Sequence, residues 1–477
     1  MATPSQYDPG YAAFGGGPSG SILHPAVLAA MVIVVLLTLL LPRKYVLVPL
    51  LMGILLIPQG QNVYFAGVHL FVSRIFILVG CVRVLLSKPS GRLGPATFVM
   101  LDKLFFVWAI YRAVAVILVS SSTGALVNQV GFLLDALGGY LLLRSLIQDE
   151  RDVERVVKVF ALVAFVSAAE MIREQLTGQN LFGMLGGIRA IPDFREGKLR
   201  AQAAFAISIT AGTYGATTFP LFLWLWKRGG RIAAVAGAVS SSIMVFASAS
   251  STPIMAWLGA ILAVCIWPIR KHMRLVRWGI VSALIGLQVV MKAPIWFVIS
   301  HISIGGGSSW ERANLIDTCI RHFGDWWLIG TRDNANWGWD MWDQCNQFVS
   351  EAETGGLLAL ICFVGMFVFC FKRIGIARKA IQSNRGREWQ FWLLGVTMFS
   401  QILAYMGIDY FDQSKFVWYT LLAIIPAATT GVRQSVAEEP KPVLVGEPSY
   451  VFPTPEPSDA MARQGPTEAS ISRGLFD

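Results

Sequence analysis

The sequence has 477 residues, of which 55% are hydrophobic and 14% charged, and its mean hydropathy is +0.58. This composition excludes an ordinary soluble chain and predicts a protein that crosses a membrane many times. The net charge of +10 does not indicate a nucleic-acid partner, because the basic residues stand in short clusters between apolar runs. The six cysteines have no spacing typical of a metal site.

The apolar runs predict about thirteen spans in one domain, residues 21–432. They lie at about 26–41, 46–57, 65–86, 104–120, 131–147, 159–171, 201–226, 233–248, 253–269, 278–297, 355–371, 389–406 and 417–428. The run at 46–57 is near the lower length limit, and if it is re-entrant the number of spans falls to about twelve. Residues 1–20 and 433–477 have compositions that predict disorder.

Basic clusters assign the two sides of the membrane, because Lys and Arg stay in cytoplasmic loops. The clusters lie at 43–44, 151–158, 227–231, 270–277 and 372–379, and alternating spans put all of them on the cytoplasmic side. The C-terminal tail then lies inside, and the N-terminus and the loops 174–200 and 299–353 lie outside. Since lipid offers no partner to backbone groups, the predicted fold is all-α, a helical bundle with one large outer loop.

Three ionisable residues lie inside predicted spans, where a charge is costly and usually faces a cavity or another charge. Arg74 is in the third run, Arg112 in the fourth and Asp135 in the fifth. A structural pair between Arg112 and Asp135 would account for two of them. Arg74 has no evident partner in the sequence, so it is the better candidate for binding an anionic ligand.

The loop 299–353 is the only long polar segment between apolar runs, and its first half predicts a helix over residues 310–323. Gly-Gly-Gly-Ser-Ser precedes this helix, and Ser309 suits its N-cap. Arg312 falls in the first turn, on the apolar stripe and at the positive end of the helix dipole. A bound diphosphate or carboxylate would relieve both conflicts. The alternative is a side chain that extends along the stripe to water.

The rest of this loop is rich in tryptophans and carboxylates. The tryptophans are Trp310, Trp326, Trp327, Trp337, Trp339 and Trp342. The carboxylates are Asp333, Asp340, Asp343, Glu351 and Glu353. Such tryptophans are interfacial anchors or stacking surfaces for sugar rings, and carboxylates among them could transfer protons. Cys319 and Cys345 could form a disulfide if the loop faces an oxidising compartment.

The loop 174–200 carries a second group of cations. They are Arg189, Arg195, Lys198 and Arg200. Arg200 stands immediately before the seventh run, which starts at the outer face. A helix start beside an arginine is again an anion-binding geometry. The sequence therefore places two arginines, Arg200 and Arg312, at helix starts on the outer face.

Motifs of a known family lie in two places, one before the seventh run and one in and after the long loop. Residues 198–216, KLRAQAAFAISITAGTYGA, resemble an Arg-x-x-Gly-Thr-Phe-type stretch that opens a helix after a periplasmic loop. Residues 310–331, WERANLIDTCIRHFGDWWLIGT, and 343–360, DQCNQFVSEAETGGLLAL, resemble an Arg-led helix, a hydrophobic-Gly turn, and His-Asn-x-Tyr with an acidic residue before Gly-Leu-Leu-Gly. Over roughly residues 60–430 the chain resembles the O-antigen ligase and polymerase superfamily of bacterial inner-membrane enzymes.

The resemblance implies roles for single residues. Arg200 and Arg312 would be the family's two arginines, Asn346 its Asn, and Glu353 its acidic residue. The chain has Ala-Ala-Phe at 203–205 where the family has Gly-Thr-Phe.

A second departure concerns the catalytic base, because Cys345 stands where the family has His. This favours a polysaccharide polymerase over a lipid A-core ligase. It leaves the base to one of four residues, Asp343, Glu351, Glu353 or His322.

The resemblance implies a metal-independent glycosyltransferase without a cofactor, which polymerises or ligates a polyprenyl-diphosphate-linked glycan at the periplasmic face. Its products would be surface polysaccharides such as lipopolysaccharide or exopolysaccharide. The residues expected to bind the diphosphate or the glycan are Arg200, Arg312, Arg74, Asn346, Trp326 and Trp339. Its partners would be the lipid-linked oligosaccharide, a glycan or lipid acceptor, membrane lipids, and a chain-length regulator or export protein.

Two other functions remain open at this point. A flippase of lipid-linked sugars would explain the arginines within the spans, but internal repeats, which would favour a transporter, are not found. A non-catalytic scaffold of a polysaccharide export complex is permitted by the missing histidine.

Overall fold

The computed structural model of the protein describes residues 23–65, 68–86, 98–298, 309–338, 341 and 345–438. It is mostly helical, with 77% helix and few strands, which confirms the predicted helical class. The helices are α1 (Pro25–Leu40), α2 (Arg43–Leu56), α3 (Val72–Leu86), α4 (Met100–Ser120), α5 (Thr123–Leu133), α6 (Gly139–Leu146), α7 (Glu150–Thr177), α8 (Leu181–Met184), α9 (Ser208–Trp226), α10 (Arg231–Ala247), α11 (Ser251–Cys265), α12 (Met273–Val290), α13 (Ser309–Arg321), α14 (Phe323–Trp326), α15 (Gln347–Ala380), α16 (Arg385–Tyr405) and α17 (Ser414–Glu438). The predicted disordered ends lie outside the described residues, except that α17 continues to Glu438.

In the described part of the chain, two short antiparallel hairpins accompany the helices. Strand β1 (Asn62–Phe65) pairs with β2 (Val68–Phe71), and β3 (Asp193–Arg195) pairs with β4 (Lys198–Arg200). In the second hairpin the first residue of β3 is directly opposite the last residue of β4. This register places a carboxylate beside Arg200.

Within the described residues, four helical stretches are long and apolar enough to cross a membrane. They are Met100–Ser120, Thr123–Leu146, Trp267–Val290 and Gln347–Ala380. Shorter apolar helices of 10–17 residues are Pro25–Leu40, Arg231–Ala247 and Ser251–Cys265. Large apolar side chains such as Ile33, Leu118 and Val289 point away from the protein, as expected of helices that face lipid. These features are consistent with a membrane protein.

Several helices differ in their limits from the predicted runs. The run at 131–147 is the second part of a continuous stretch, Thr123–Leu146, in which Leu134–Gly138 forms a π-helical turn. The run at 201–226 becomes helical only at Ser208. Because π-turns are rare and are frequently found at functional sites, the turn at Leu134–Gly138 indicates where a site could lie.

Helix α17 is the centre of the bundle, because every residue from 416 to 429 is buried. Trp418 stacks on Phe367 of α15 with 4.7 Å between ring centroids, and Tyr419 meets Phe105 of α4 edge-on at 5.3 Å. Around this centre α9 packs against α10, α11 and α16, and α4 packs against α15. In lipid, such close packing holds helices together, since apolar side chains gain little by leaving one apolar environment for another.

Polar contacts show which helix ends meet. Glu150 at the start of α7 pairs with Arg228 after α9 at 2.5 Å and with Arg387 at the start of α16 at 2.7 Å. Near the other end of α7, Glu174 accepts from the backbone N–H of Gln202 at 2.9 Å. We call the end with Glu150 the basic end and the end with Glu174 the loop end.

Helix α15 is interrupted at Gly356, whose φ of 69° and ψ of −172° are not helical. A Cβ atom there would lie 2.4 Å from the carbonyl oxygen of Leu328, so only glycine fits. Beside it, Leu357 N donates to Trp327 O at 2.8 Å. The segment around Leu328 therefore fits into the break of α15 and fixes this part of the long loop at the loop end.

Candidate functional site

Two adjoining cavities lie at the loop end. The larger one, of about 530 Å³, is called the arginine cavity. Its cationic lining residues are Arg189, Arg195, Lys198, Arg200 and Arg312. Its acidic lining residues are Asp193, Glu196, Glu311 and Asp409. The starts of α9 and α11 complete the wall, so helix-start amides and cations are combined in one cavity.

Arg200 is held by two neighbours in the arginine cavity. Its Nη2 donates to Ser250 Oγ at 2.7 Å, and its Nη1 lies 3.5 Å from Asp193 Oδ2. Burial lowers the pKa of the guanidinium from its ordinary value, and the Asp193 carboxylate opposes that shift. Within the described part of the chain its Nε is buried without a hydrogen-bond partner. A bound anion would supply that partner and more negative charge.

Arg312 approaches the same place from the other loop. Its Nη1 lies 3.5 Å from Ser251 Oγ, so the two arginines reach neighbouring serines at the start of α11. In the described chain neither Ser250 before α11 nor Ile207 before α9 makes a side-chain capping bond. The first-turn N–H groups of both helices can therefore serve an anion.

The structure corrects the prediction that Arg200 stands at the start of its own helix. Arg200 ends β4, and α9 begins only at Ser208. Between them, Glu174 accepts hydrogen bonds from Gln202 N at 2.9 Å and from Ala203 N at 2.6 Å. These bonds hold the segment in a non-helical path, with Ala203 at a φ of 50°. The helix start that Arg200 serves is that of α11.

Glu174, which lies beyond the predicted span at 159–171, gives this segment a pH dependence. Burial raises the pKa of its carboxyl from 4.5 to about 7, against the opposing effect of the Gln202 and Ala203 amides. Between these values the folded protein keeps a proton that the unfolded chain has released, so stability falls as pH rises from 4.5 to about 7. A shift of this size corresponds to about 3 kcal/mol.

We therefore expect the Tm of the wild type to decrease between about pH 5 and about pH 7.5, and that of Glu174→Gln to vary much less. Scanning calorimetry in one detergent at several pH values measures both slopes. If the variant and the wild type have the same slope, the dependence belongs to another group.

The smaller cavity, of about 240 Å³, is called the aromatic cavity. Its aromatic lining residues are Trp108, Phe132, Phe363, Tyr405, Tyr410, Phe411, Trp418 and Tyr419. Its charged lining residues are Arg74, Arg112, Asp135, Glu351, Asp409 and Lys415. Among its described lining residues three cations and three carboxylates balance each other, so these side chains give the cavity no net positive charge to attract an anion.

Asp135 is the centre of one ion cluster in the aromatic cavity. Arg74 donates to it through Nε and Nη2, both at 3.1 Å, and Lys415 Nζ lies 2.9 Å from Oδ2. Asp135 belongs to the π-helical turn Leu134–Gly138. Arg74, the predicted candidate for an anionic ligand, is thus already paired with a carboxylate.

Glu351 is the centre of the second ion cluster. Its Oε2 accepts from Trp108 Nε1 at 2.7 Å and lies 3.4 Å from Arg112 Nε. Its Oε1 accepts from Gln347 Nε2 at 2.7 Å. The predicted pair of Arg112 with Asp135 is therefore wrong, because Arg112 faces Glu351. With these donors around it, Glu351 suits the orientation of neighbouring groups better than the removal of a proton.

Asp409 and Phe411 line both cavities, so the two cavities meet at the segment between α16 and α17. Gln347 holds this segment, since its Oε1 accepts from Tyr410 N at 2.7 Å. No prediction from the sequence concerned this segment. The sequence feature that could have indicated it is a short connection between two apolar runs, residues 407–415, which carries two aspartates and a lysine.

Two predicted catalytic residues lie outside both cavities. Glu353 Oε2 accepts from Asn334 Nδ2 at 2.9 Å. His322 stacks on Trp337, with 4.9 Å between ring centroids. The predicted base Asp343 and the predicted glycan-binding residue Trp339 lie outside the described residues.

Other predicted site residues have local structural contacts. Asn346 is the N-cap of α15 and accepts from the first-turn amides of that helix. Trp326 is buried and donates to the carbonyl of Cys319 at 2.7 Å, within a small core of the loop. Cys319 and Cys345 are both thiols, so the disulfide considered from the sequence is not formed. Burial raises the pKa of the Cys319 thiol to about 12, which keeps it protonated.

The site residues that the structure brings together are thus Arg200 with Arg312, and Arg74 with Glu351, in two cavities that share a wall. What these cavities do must be inferred from their own chemistry. No family model matches the chain, and no curated protein is significantly similar to it.

Proposed function

We propose that this protein is a membrane glycosyltransferase that moves a glycan from a polyprenyl diphosphate to an acceptor hydroxyl in surface-polysaccharide synthesis. About twelve or thirteen spans would cross the bacterial inner membrane, with the loop end facing the periplasm and the tail in the cytoplasm. One observation carries the proposal. Arg200 and Arg312, from two separate loops, meet over the start of α11 in a single cavity.

The arginine cavity suits a diphosphate in size and in charge. Its volume of about 530 Å³ lies within the range of about 300–1,000 Å³ that is usual for small-molecule sites. A diphosphate presents adjacent anionic oxygens, and guanidinium groups bind such oxygens through two parallel hydrogen bonds. The helix-start amides of α9 and α11 add donors that need no reorganisation when the ligand binds.

The distribution of basic residues supports an outward-facing loop end. The basic cluster at 227–231 follows α9, and the cluster at 372–379 lies in the last turns of α15. Both clusters are away from the two cavities. Since Lys and Arg stay on the cytoplasmic side, these clusters favour a cytoplasmic basic end. A lipid-linked donor at the outer face of the membrane would then have its diphosphate at the level of the two arginines.

The proposed transfer breaks the bond between the anomeric carbon of the glycan and a diphosphate oxygen. Negative charge builds on the leaving diphosphate, and fixed guanidinium and amide donors stabilise that charge more than the ground state. Arg200 and Arg312 would supply the guanidinium groups. A carboxylate would take the proton of the acceptor hydroxyl.

A backbone feature supports the resemblance on which this substrate class rests. Ala203 stands where the family motif has glycine, and its φ of 50° lies in the left-handed region that favours glycine. The chain thus keeps the conformation that the motif's glycine would suit, although the residue differs.

The first test is the binding of a C55 prenyl diphosphate without sugar to the purified protein in lipid nanodiscs, measured by native mass spectrometry. Charge-assisted hydrogen bonds are worth about 1.5–3 kcal/mol each, so Arg200→Ala and Arg312→Ala should each weaken binding about 10-fold or more. The matched control is Arg321→Ala on the same helix as Arg312, since the Arg321 side chain is 72% exposed. Equal binding by the wild type and both cavity variants would refute the diphosphate site.

A further inference from the structure

Two buried polar groups of the aromatic cavity have no hydrogen-bond partner within the described part of the chain. They are the indole Nε1 of Trp418 and the side-chain Oε1 of Gln129. Trp418 is only 2% exposed, and most buried polar groups in proteins are bonded to protein, water or ligand. One group donates and the other accepts. The hydroxyl groups of a ligand, which both accept and donate hydrogen bonds, would satisfy the two.

The walls around these two groups suit a sugar ring. Trp108, Tyr405 and Trp418 offer flat aromatic faces to the apolar C–H face of a pyranose. Glu351 and Asp135 offer carboxylate oxygens to its hydroxyl groups. The volume of about 240 Å³ is below the usual range of about 300–1,000 Å³, so the cavity has room for one ring and not for an oligosaccharide.

The position of this cavity relates it to the arginine cavity. Asp409 lines both cavities, at the wall where they meet. A hydroxyl of a sugar in the aromatic cavity and the anomeric carbon of a glycan in the arginine cavity would meet beside its carboxylate. That is where a proton acceptor is needed.

We infer that the aromatic cavity binds the terminal sugar of the acceptor glycan and that Asp409 is the base that deprotonates its attacking hydroxyl. This inference rests on the proposed function. It assigns the donor to the arginine cavity and the acceptor to the aromatic cavity. Asp409 thus takes the role that the sequence assigned to a residue of the long loop.

The step balances without any further reactant. The acceptor oxygen gives its O–H proton to the Asp409 carboxylate and uses its electron pair to form a bond to the anomeric carbon. The bond from that carbon to the diphosphate oxygen breaks, and its electron pair leaves with the lipid diphosphate. Asp409 then returns its proton to water. A single displacement of this kind inverts the configuration at the anomeric carbon.

Steady-state kinetics on the full chain in nanodiscs test the inference. The donor is the cells' own polyprenyl-diphosphate oligosaccharide, and the varied acceptor is the same oligosaccharide released from its lipid by mild acid. Trp418→Phe keeps an aromatic ring and removes the N–H group that donates a hydrogen bond. Gln129→Leu removes the side-chain oxygen that accepts one. Each should raise the KM for the released oligosaccharide about 5–10-fold without changing the KM for the lipid-linked donor.

The base is tested by the pH profile. Asp409→Asn should lower kcat by about 10²–10⁴-fold and remove the acidic limb of the profile, and Asp409→Glu should partly restore both. For the acceptor site, the control variant matched to Trp418→Phe is Trp257→Phe. The indole Nε1 of Trp257 is also buried without a partner in the described chain, but it lies outside both cavities.

The outcomes separate this inference from the proposed function. If Trp418→Phe and Gln129→Leu behave like Trp257→Phe, the two polar groups bind water only, and the acceptor site is refuted. If Asp409→Asn keeps the wild-type pH profile, Asp409 is not the base. Both results leave the diphosphate site standing as long as Arg200→Ala and Arg312→Ala lose transfer. Undiminished transfer in those two variants would refute the proposed function itself.

Discussion

Arg312→Ala is expected to stop growth of the cells' envelope glycan and to leave single-unit or uncapped lipid-linked material. In the proposed transfer, the guanidinium and the start of α11 stabilise the charge that appears as the bond to the diphosphate breaks. Loss of one such donor is expected to lower kcat by about 10²–10³-fold. Arg200→Ala should leave the same material, because both side chains reach neighbouring serines. Gel analysis of polymer length at matched expression measures the effect.

The matched control is again Arg321→Ala, which should leave polymer length unchanged. Arg321 lies on α13 with Arg312 but pairs with Asp317 at 2.7 Å. The side of the membrane on which lipid-linked units accumulate separates the alternatives. Accumulation at the outer face in Arg312→Ala supports a transferase, and accumulation at the inner face supports a flippase. Unchanged polymer in both cavity variants would favour a non-catalytic scaffold.

The helical class could be predicted because it depends on composition and on the length of apolar runs, which are local properties. The limits of α9 could not be predicted from the sequence. Residues 201–207 are apolar enough to extend the predicted run, but Glu174, 28 residues before Gln202, binds the amides of Gln202 and Ala203. A carboxylate from a distant helix thus outweighs the local preference for helix.

Pairing of charges within the bundle could not be predicted either. The sequence indicates that Asp135 lies inside a span, but not which helices surround it. Its partners Arg74 and Lys415 are 61 and 280 residues away. Arg112, which is closer in sequence, lies across from Glu351 of α15. The packing of α4 against α15 decides this, and no local pattern encodes it.

The candidate site could also be predicted only in part from the sequence. Arg312 could be singled out by local conflict, because it is a cation in the first turn of its helix, and Arg200 by its place immediately before an apolar run. That they share a cavity depends on two loops that are more than one hundred residues apart. Asp409 carries no local conflict at all, because an aspartate in a short connection between apolar runs is ordinary. The role inferred for Asp409 follows only from its position between two cavities.

Asp135→Asn is expected to destabilise the protein by about 3–5 kcal/mol, because it leaves buried cations without a counter-charge. The Asp135 side chain is 4% exposed and is shared by Arg74 at 3.1 Å and Lys415 at 2.9 Å. The amide oxygen of asparagine carries no charge and cannot compensate two cations. A loss of this size is a large part of the total stability of about 5–15 kcal/mol that is usual for a domain. Denaturant titration in mixed micelles measures it.

Two further variants separate charge balance from polarity. A triple variant, Arg74→Met with Asp135→Leu and Lys415→Met, removes the whole cluster. Apolar replacement of a buried ion cluster is often neutral or stabilising, so the triple variant should be about as stable as the wild type. Glu154→Gln breaks the more exposed pair with Lys158 and should cost less than about 1 kcal/mol. If Asp135→Asn also lowers the free energy of unfolding by less than about 1 kcal/mol, water in the aromatic cavity already solvates the two cations. If the triple variant is stable but cannot extend the glycan, the cluster is retained for the acceptor site and not for the fold.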